Sequence, residues 1–135
     1  MKIYKTQKEV EKDIKDGILS INGDVSFECS LNIKASIIIT AGNINARDIT
    51  ARDITAGDIT AWDITARDIN AGDITAWDIN ARDITAGNIL YWAFCCVYQD
   101  IKCLSINGTR DKNQKPICLD GKLEFKKKRK TINSK

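Results

Sequence analysis

Eight aspartates recur at five-residue intervals from Asp48 to Asp83, and Asn43 and Asn88 fill the same slot at the two ends of the series. Carboxylates repeated in this way could form a cation array or do acid–base work. In a stack of strands, however, like carboxylates would stand about 4.8 Å apart, which is unfavourable unless they are offset. Because Asn replaces Asp at two positions, the slot asks for a carbonyl-type acceptor more than for a charge, and both residues cap tight turns by accepting from backbone N–H groups. Turn capping is therefore the leading expectation, with a hard cation such as calcium second and catalysis last.

The residue before each Asp or Asn, continued one period further to Trp92, carries a second pattern. From Gly42 to Trp92 it reads Gly, Arg, Arg, Gly, Trp, Arg, Gly, Trp, Arg, Gly, Trp. Trp62, Trp77 and Trp92 thus recur every fifteen residues, as do Arg52, Arg67 and Arg82, and as do Gly42, Gly57, Gly72 and Gly87. An exposed row of indoles marks a binding surface, able to take a nucleobase, a sugar face or an apolar patch on another protein; the competing expectation is that the indoles pack on one another. A row of glycines supplies unusual backbone conformations or lets another chain approach closely, either a terminal segment of the same chain or a second subunit. The five Cys lack the CxxC spacing of a zinc site, and there is no His. Buried, reduced thiols are expected. Without His the usual general base and the Ser–His and Cys–His pairs are missing, and neither GxGxxG nor a Walker A loop occurs. The chain is expected to be no enzyme and to hold no cofactor and no metal.

What must position these rows is the repeat itself. Ala41 to Leu90 reads as ten five-residue units of Ala, a variable residue, Asp or Asn, Ile, and a last residue that is Thr or Asn in all but the tenth unit. Ile and the following Ala are two apart, so in an extended chain both point to one face and the Thr or Asn between them points out. The other two residues must turn a corner. A helix fits poorly, because Ile every five residues drifts around a 3.6-residue turn and Thr, Asn, Asp and Gly are mediocre helix formers. Each short strand buries too little alone, so coils must stack. The expected fold is all-β: a single-stranded β-helix, or β-solenoid, of five-residue faces. At the variable position seven of eight pairs fifteen residues apart match, against one of seven pairs twenty apart. This favours three sides and fifteen residues per coil, with four sides and twenty residues as the alternative.

The uninterrupted five-residue period with Ala, Asp or Asn and a branched aliphatic resembles the pentapeptide-repeat family over about residues 33–90. The resemblance implies a four-sided right-handed β-helix, and, since some members act on DNA gyrase by mimicking DNA, a DNA-mimic activity as one alternative. The order here, Ile and then Ala, is the reverse of the family's usual order. Head and tail are also similar to small repeat proteins of phages and Gram-positive bacteria.

Around the solenoid, at 33–92, the sequence suggests an N-terminal helix and β cap at 1–32, a C-terminal β cap at 93–125 and a basic tail at 126–135. Thr6 and Glu9 have capping-box spacing, and Val10 and Ile14 share a helical face, so a helix over about 7–16 is expected to cover the open first coil. An extra residue among Ser36, Ile37 and Ile38 suggests a bulge or wider corner where the solenoid begins. The repeat of Leu19–Gly23 as Leu104–Gly108 points to β structure at the far end, followed by a polar loop around 109–115. Residues 1–40 carry six basic and six acidic groups, 41–90 four against eight, and 91–135 eleven against four. The basic character therefore belongs to the end of the chain. The start has no apolar segment of the kind a secretory signal needs, and no run is long enough to span a membrane. A cytoplasmic protein without a membrane partner is expected. The functional expectation is a self-associating scaffold or protein-interaction module, with Trp62, Trp77, Trp92, Arg52, Arg67 and Arg82 as the interaction edge and the Gly column as a packing edge. The alternative is nucleic-acid association through the Arg and Trp edges and the tail.

Overall fold

The computed structural model describes residues 1–108 and 115–126. The chain winds into a parallel β-solenoid whose short strands stack in three ladders. One ladder runs from Lys2–Tyr4 through Val25–Phe27, Ile44–Ala46 and Ile59–Thr60 to Ile74–Thr85, Asn88–Val97 and Ser105–Gly108. A second runs from Leu31–Asn32 through Asp48–Thr50 and Asp63–Asn70 to the later parts of the two long strands and Ile117–Cys118. The third begins at Ile18–Asn22 and passes Ser36–Thr40 and Asp53–Thr55 to end at Ile101–Cys103 and Leu123–Phe125.

Where both partners lie in the repeat they stand fifteen apart, so that the columns run Asp48–Asp63–Asp78, Ile54–Ile69–Ile84 and Ile44–Ile59–Ile74. The fifteen-residue rhythm of the variable position is the rhythm of the backbone. Toward both ends the loops between paired strands lengthen, so that Lys2 pairs with Val25, Val25 with Ile44, and Ile101 with Leu123.

The core is the Ile column that the period requires. Each Ile from Ile44 to Ile89 is at most 1% exposed. Burying a side chain of this size contributes about 1.5–3 kcal/mol relative to leaving it in water, so the stack is held mainly by this repeated layer. Ala46, Ala51, Ala61, Ala66, Ala76 and Ala86 join it, while Ala56, Ala71 and Ala81 are half-buried. At 33–39 the inward residues are Ile33, Ala35, Ile37 and Ile39, with Ile38 turned out. At the far end Tyr91 takes an Ala position and is buried, against Gly108 of the next coil.

The N-terminal helix is shorter than the sequence suggests, Gln7–Asp13. Its capping box is formed as expected: the Thr6 side chain accepts from the Glu9 N–H, and the Glu9 carboxylate accepts from the Thr6 N–H. Ile14 turns extended because Lys15 pairs antiparallel with Ile18, across a turn in which Asp16 and Gly17 take φ of 53° and 75°. Gly17 thus serves this turn and not the helix end. Val10 is fully buried and Tyr4 nearly so, with the Tyr4 and Phe27 rings stacked at 5.5 Å. No described helix is long and apolar enough to cross a membrane. The polar loop and the basic tail fall outside the described residues except for Lys115 and Lys126.

Candidate functional site

Each corner column of the repeat has its own backbone geometry, which decides what its side chains are free to do. At the Gly corner neighbouring coils leave no room for a side chain. A Cβ on Gly57 would lie 2.6 Å from both the Gly42 carbonyl oxygen and Asn43 Oδ1, and one on Gly72 would lie 2.8 Å from Asp58 Oδ1. The Gly57 N–H donates to the Gly42 carbonyl at 2.9 Å, and Gly72 and Gly87 repeat the contact. Neighbouring coils of the same chain account for this close approach. The Asp or Asn after each Gly also spans coils: Asn43 N–H donates to Asp24 Oδ1, Asp58 to Asn43, Asp73 to Asp58 and Asn88 to Asp73, at 2.8–3.0 Å. The acceptor role is the one expected from the sequence, but it serves the next coil and not the residue's own turn. Asn replaces Asp only in this column, and that restriction was a readable sign of an acceptor in use.

At the Arg corner the carboxylates are shared between backbone and guanidinium. Asp53 Oδ1 accepts from the Asp68 N–H, and Asp83 Oδ1 from the Asp100 N–H. Arg82 lies 3.7 Å from Asp68 and Asp83, and Arg52 donates to the Lys34 carbonyl. Two of the three Arg side chains are thus already engaged by the chain itself.

The Trp corner differs from both. Trp62 and Asp63 N–H groups both donate to the Arg47 carbonyl, at 2.7 and 3.2 Å, and Trp77 and Asp78 repeat this on the Trp62 carbonyl. Burial, with the charges of Asp78 and Asp48 next in the column, pushes the Asp63 carboxyl above its ordinary pKa.

The indoles do both things the sequence allowed. Trp62 and Trp77 stack with centroids 5.6 Å apart and planes 12° from parallel; Trp77 and Trp92 stack at 6.3 Å and 22°. The looser second step has a local cause: Ala76 pairs with Tyr91 but Asp78 with Phe94, so one extra residue enters the Trp92 corner. Even so, the indoles remain 59, 48 and 38% exposed from Trp62 to Trp92. Stacking uses the inner ring faces and leaves a continuous strip of edges in solvent. Beside the strip runs a groove of about 210 Å³, which periodicity alone did not single out; the three indoles form part of its lining, with Asn45, Thr60 and Thr75 as its polar residues.

The thiols offer no comparable site. Cys95 and Cys103 are buried, and Cys29, Cys96 and Cys118 half-buried. Burial, with the other thiols nearby as lesser causes, pushes the Cys95 pKa to about 12, which keeps it a protonated and poorly nucleophilic thiol. Among the described residues no group of His, Cys, Asp or Glu is arranged to hold a metal ion. Comparison with known proteins adds no assignment: no family model, curated protein or solved structure matches the chain.

Proposed function

We propose that the protein is a non-catalytic, pentapeptide-type β-solenoid that works in the cytoplasm as a rigid scaffold or interaction module. It associates with itself or with another protein through the edge of Trp62, Trp77 and Trp92, while the side-chain-free Gly column gives a second edge that other surfaces can approach. The observation that carries this reading is the exposed indole stack. Three Trp side chains held in solvent by a rigid backbone form the kind of pre-organised apolar strip that binding surfaces use, since little conformational freedom remains to be lost on contact.

The column of Arg52, Arg67 and Arg82 gives weaker support to nucleic-acid binding, because Asp68 and Asp83 already neutralise Arg82. One measurement separates the two readings. Size-exclusion chromatography with light scattering, recorded at 260 and 280 nm, should show a nucleic-acid-free oligomer. A Trp62→Ser, Trp77→Ser double variant should keep its far-ultraviolet circular dichroism and lose the association. An unchanged mass in the variant sinks the proposal, and nucleic acid that salt strips from a monomer replaces it.

A further inference from the structure

The way the indoles stack restricts what can meet them. With centroids 5.6 and 6.3 Å apart, no third ring enters between neighbours, and every inner face is covered. A nucleobase or a sugar, which binds a Trp by its face, therefore finds only the two outer faces of the stack, on Trp62 and Trp92. The strip itself offers edges, spaced by the rise of the coils.

The groove that follows all three indoles lies on one side of the strip, while the hollow on the other side reaches Trp62 alone and is lined by Ser30, Arg47 and Asp48. The polar residues of the groove, Asn45, Thr60 and Thr75, are uncharged, whereas the carboxylates of Asp48, Asp63 and Asp78 follow the strip on its other side. Strip and groove are also offset by one coil: the polar residues of the groove occupy the levels of residues 45, 60 and 75, and the indoles those of residues 60, 75 and 90. A strip of three edges fits a groove of three levels only if both repeat at the same pitch. A second copy of this chain meets that condition by construction.

We propose that the groove receives the indole strip of a second copy, the two solenoids running antiparallel about a two-fold axis between the levels of Trp62 and Trp77. The one-coil offset fixes the register. Trp62 of one copy sits beside Thr75 of the other, Trp77 beside Thr60, and Trp92 beside Asn45. Each copy gives its strip and receives one, so the contact is isologous and closes at two copies. It also leaves both Asp columns outside the contact. At roughly 250 Å² per indole, the exposed parts of the three come to roughly 350 Å² per copy. That is well under the roughly 800 Å² a side of a standard stable complex, so the dimer forms in the micromolar range or above and responds to concentration.

This inference rests on self-association through the Trp edge, and the test separates the two. Mass is followed by light scattering on the full chain as concentration rises from about 1 μM to about 1 mM, a range suited to a small contact. Thr60→Lys, and Asn45→Lys as a second groove variant at its far end, put a charge in the groove and should weaken dimerisation at least tenfold with an unchanged circular dichroism spectrum. Thr65→Lys, which faces outward beyond the Asp column, should leave the dimer intact. If the groove variants dimerise like the natural sequence while Trp77→Ser does not, the strip is used but the groove is not its seat, and the antiparallel arrangement is overturned. A natural sequence that stays monomeric up to about 1 mM overturns both readings.

Discussion

The Asp of each pentad meets different surroundings at each corner. Asp58, after a Gly, accepts a hydrogen bond from the Asp73 N–H at 2.9 Å; Asp63, after a Trp, stands between two like carboxylates. Asp58→Ala should therefore cost about 1 kcal/mol in unfolding free energy, while Asp58→Asn should cost little, as Asn43 already fills that slot. Asp63→Asn should act in the opposite direction. Because folding raises the Asp63 pKa, its protonated form is favoured in the native state; that contribution is complete below the unfolded pKa and is lost as pH rises through the folded one. Thermal melts of Asp63→Asn should lie above those of the natural sequence at neutral pH and converge with them as pH falls through the weakly acidic range. Glu9 and Asp13 shift downward, Glu9 mainly through backbone hydrogen bonds and Asp13 mainly through the Tyr4 hydroxyl, so their support fades as pH falls through their lowered values. That slope is common to both proteins and cancels in the comparison. The period alone made these Asp residues equivalent. What separates them is the preceding Gly or Trp, which changes where the backbone N–H bonds and hence whether the carboxylate is needed as an acceptor.

At the scale of elements, the N-terminal helix is the one helix among the described residues. Thr6 and Glu9 announced its start, because a capping box is a local arrangement that sequence spacing can encode. Its end depends on a pairing between Lys15 and Ile18 that Gly17 alone did not reveal. The helix holds to the first coil through fully buried Val10 and through the Tyr4 hydroxyl, which donates to Asp13 at 2.6 Å. Lys2 lies 3.7 Å from the same carboxylate. Val10→Asp would bury an unpaired carboxylate, and should lower stability by more than about 2 kcal/mol. Thr6→Ala removes only the cap and should cost about 1 kcal/mol. A covering role makes a further difference: Val10→Asp should expose the edges of the first coil and increase light scattering on mild heating, whereas Thr6→Ala should unfold without it. Equal aggregation by the two variants would show that the helix does not shield the stack.

At the scale of the whole molecule, the most legible feature was the fifteen-residue rhythm, and the reason is physical. Parallel stacking brings residues one coil apart into contact, so a corner that accepts Gly in one coil needs Gly in the next, where any Cβ would strike the previous backbone. The widened ends were less legible, because there each strand finds its partner at its own spacing, as Val25 does with Ile44 and Ile101 with Leu123. The rhythm gives a prediction that does not depend on function. Deleting residues 63–77 removes one full coil and joins residue 62 to residue 78. Ile49 would then meet Ile79, Gly57 would meet Gly87, and Trp62 would replace Trp77 in the corner before Asp78. The shortened chain should fold with a β-rich circular dichroism spectrum and melt at a lower temperature, having lost one layer of inward Ile. Deleting only 63–67 removes a single face instead. Every later corner would shift by one position, setting Gly72 against Arg52 and Trp77 against Gly57 and driving an indole into the Gly corner, where even a Cβ would strike the previous backbone. That variant should be far less stable than the one missing three times as many residues. The reverse order of the two melting temperatures would show that the five-residue face, and not the fifteen-residue coil, is the unit in which this chain stacks.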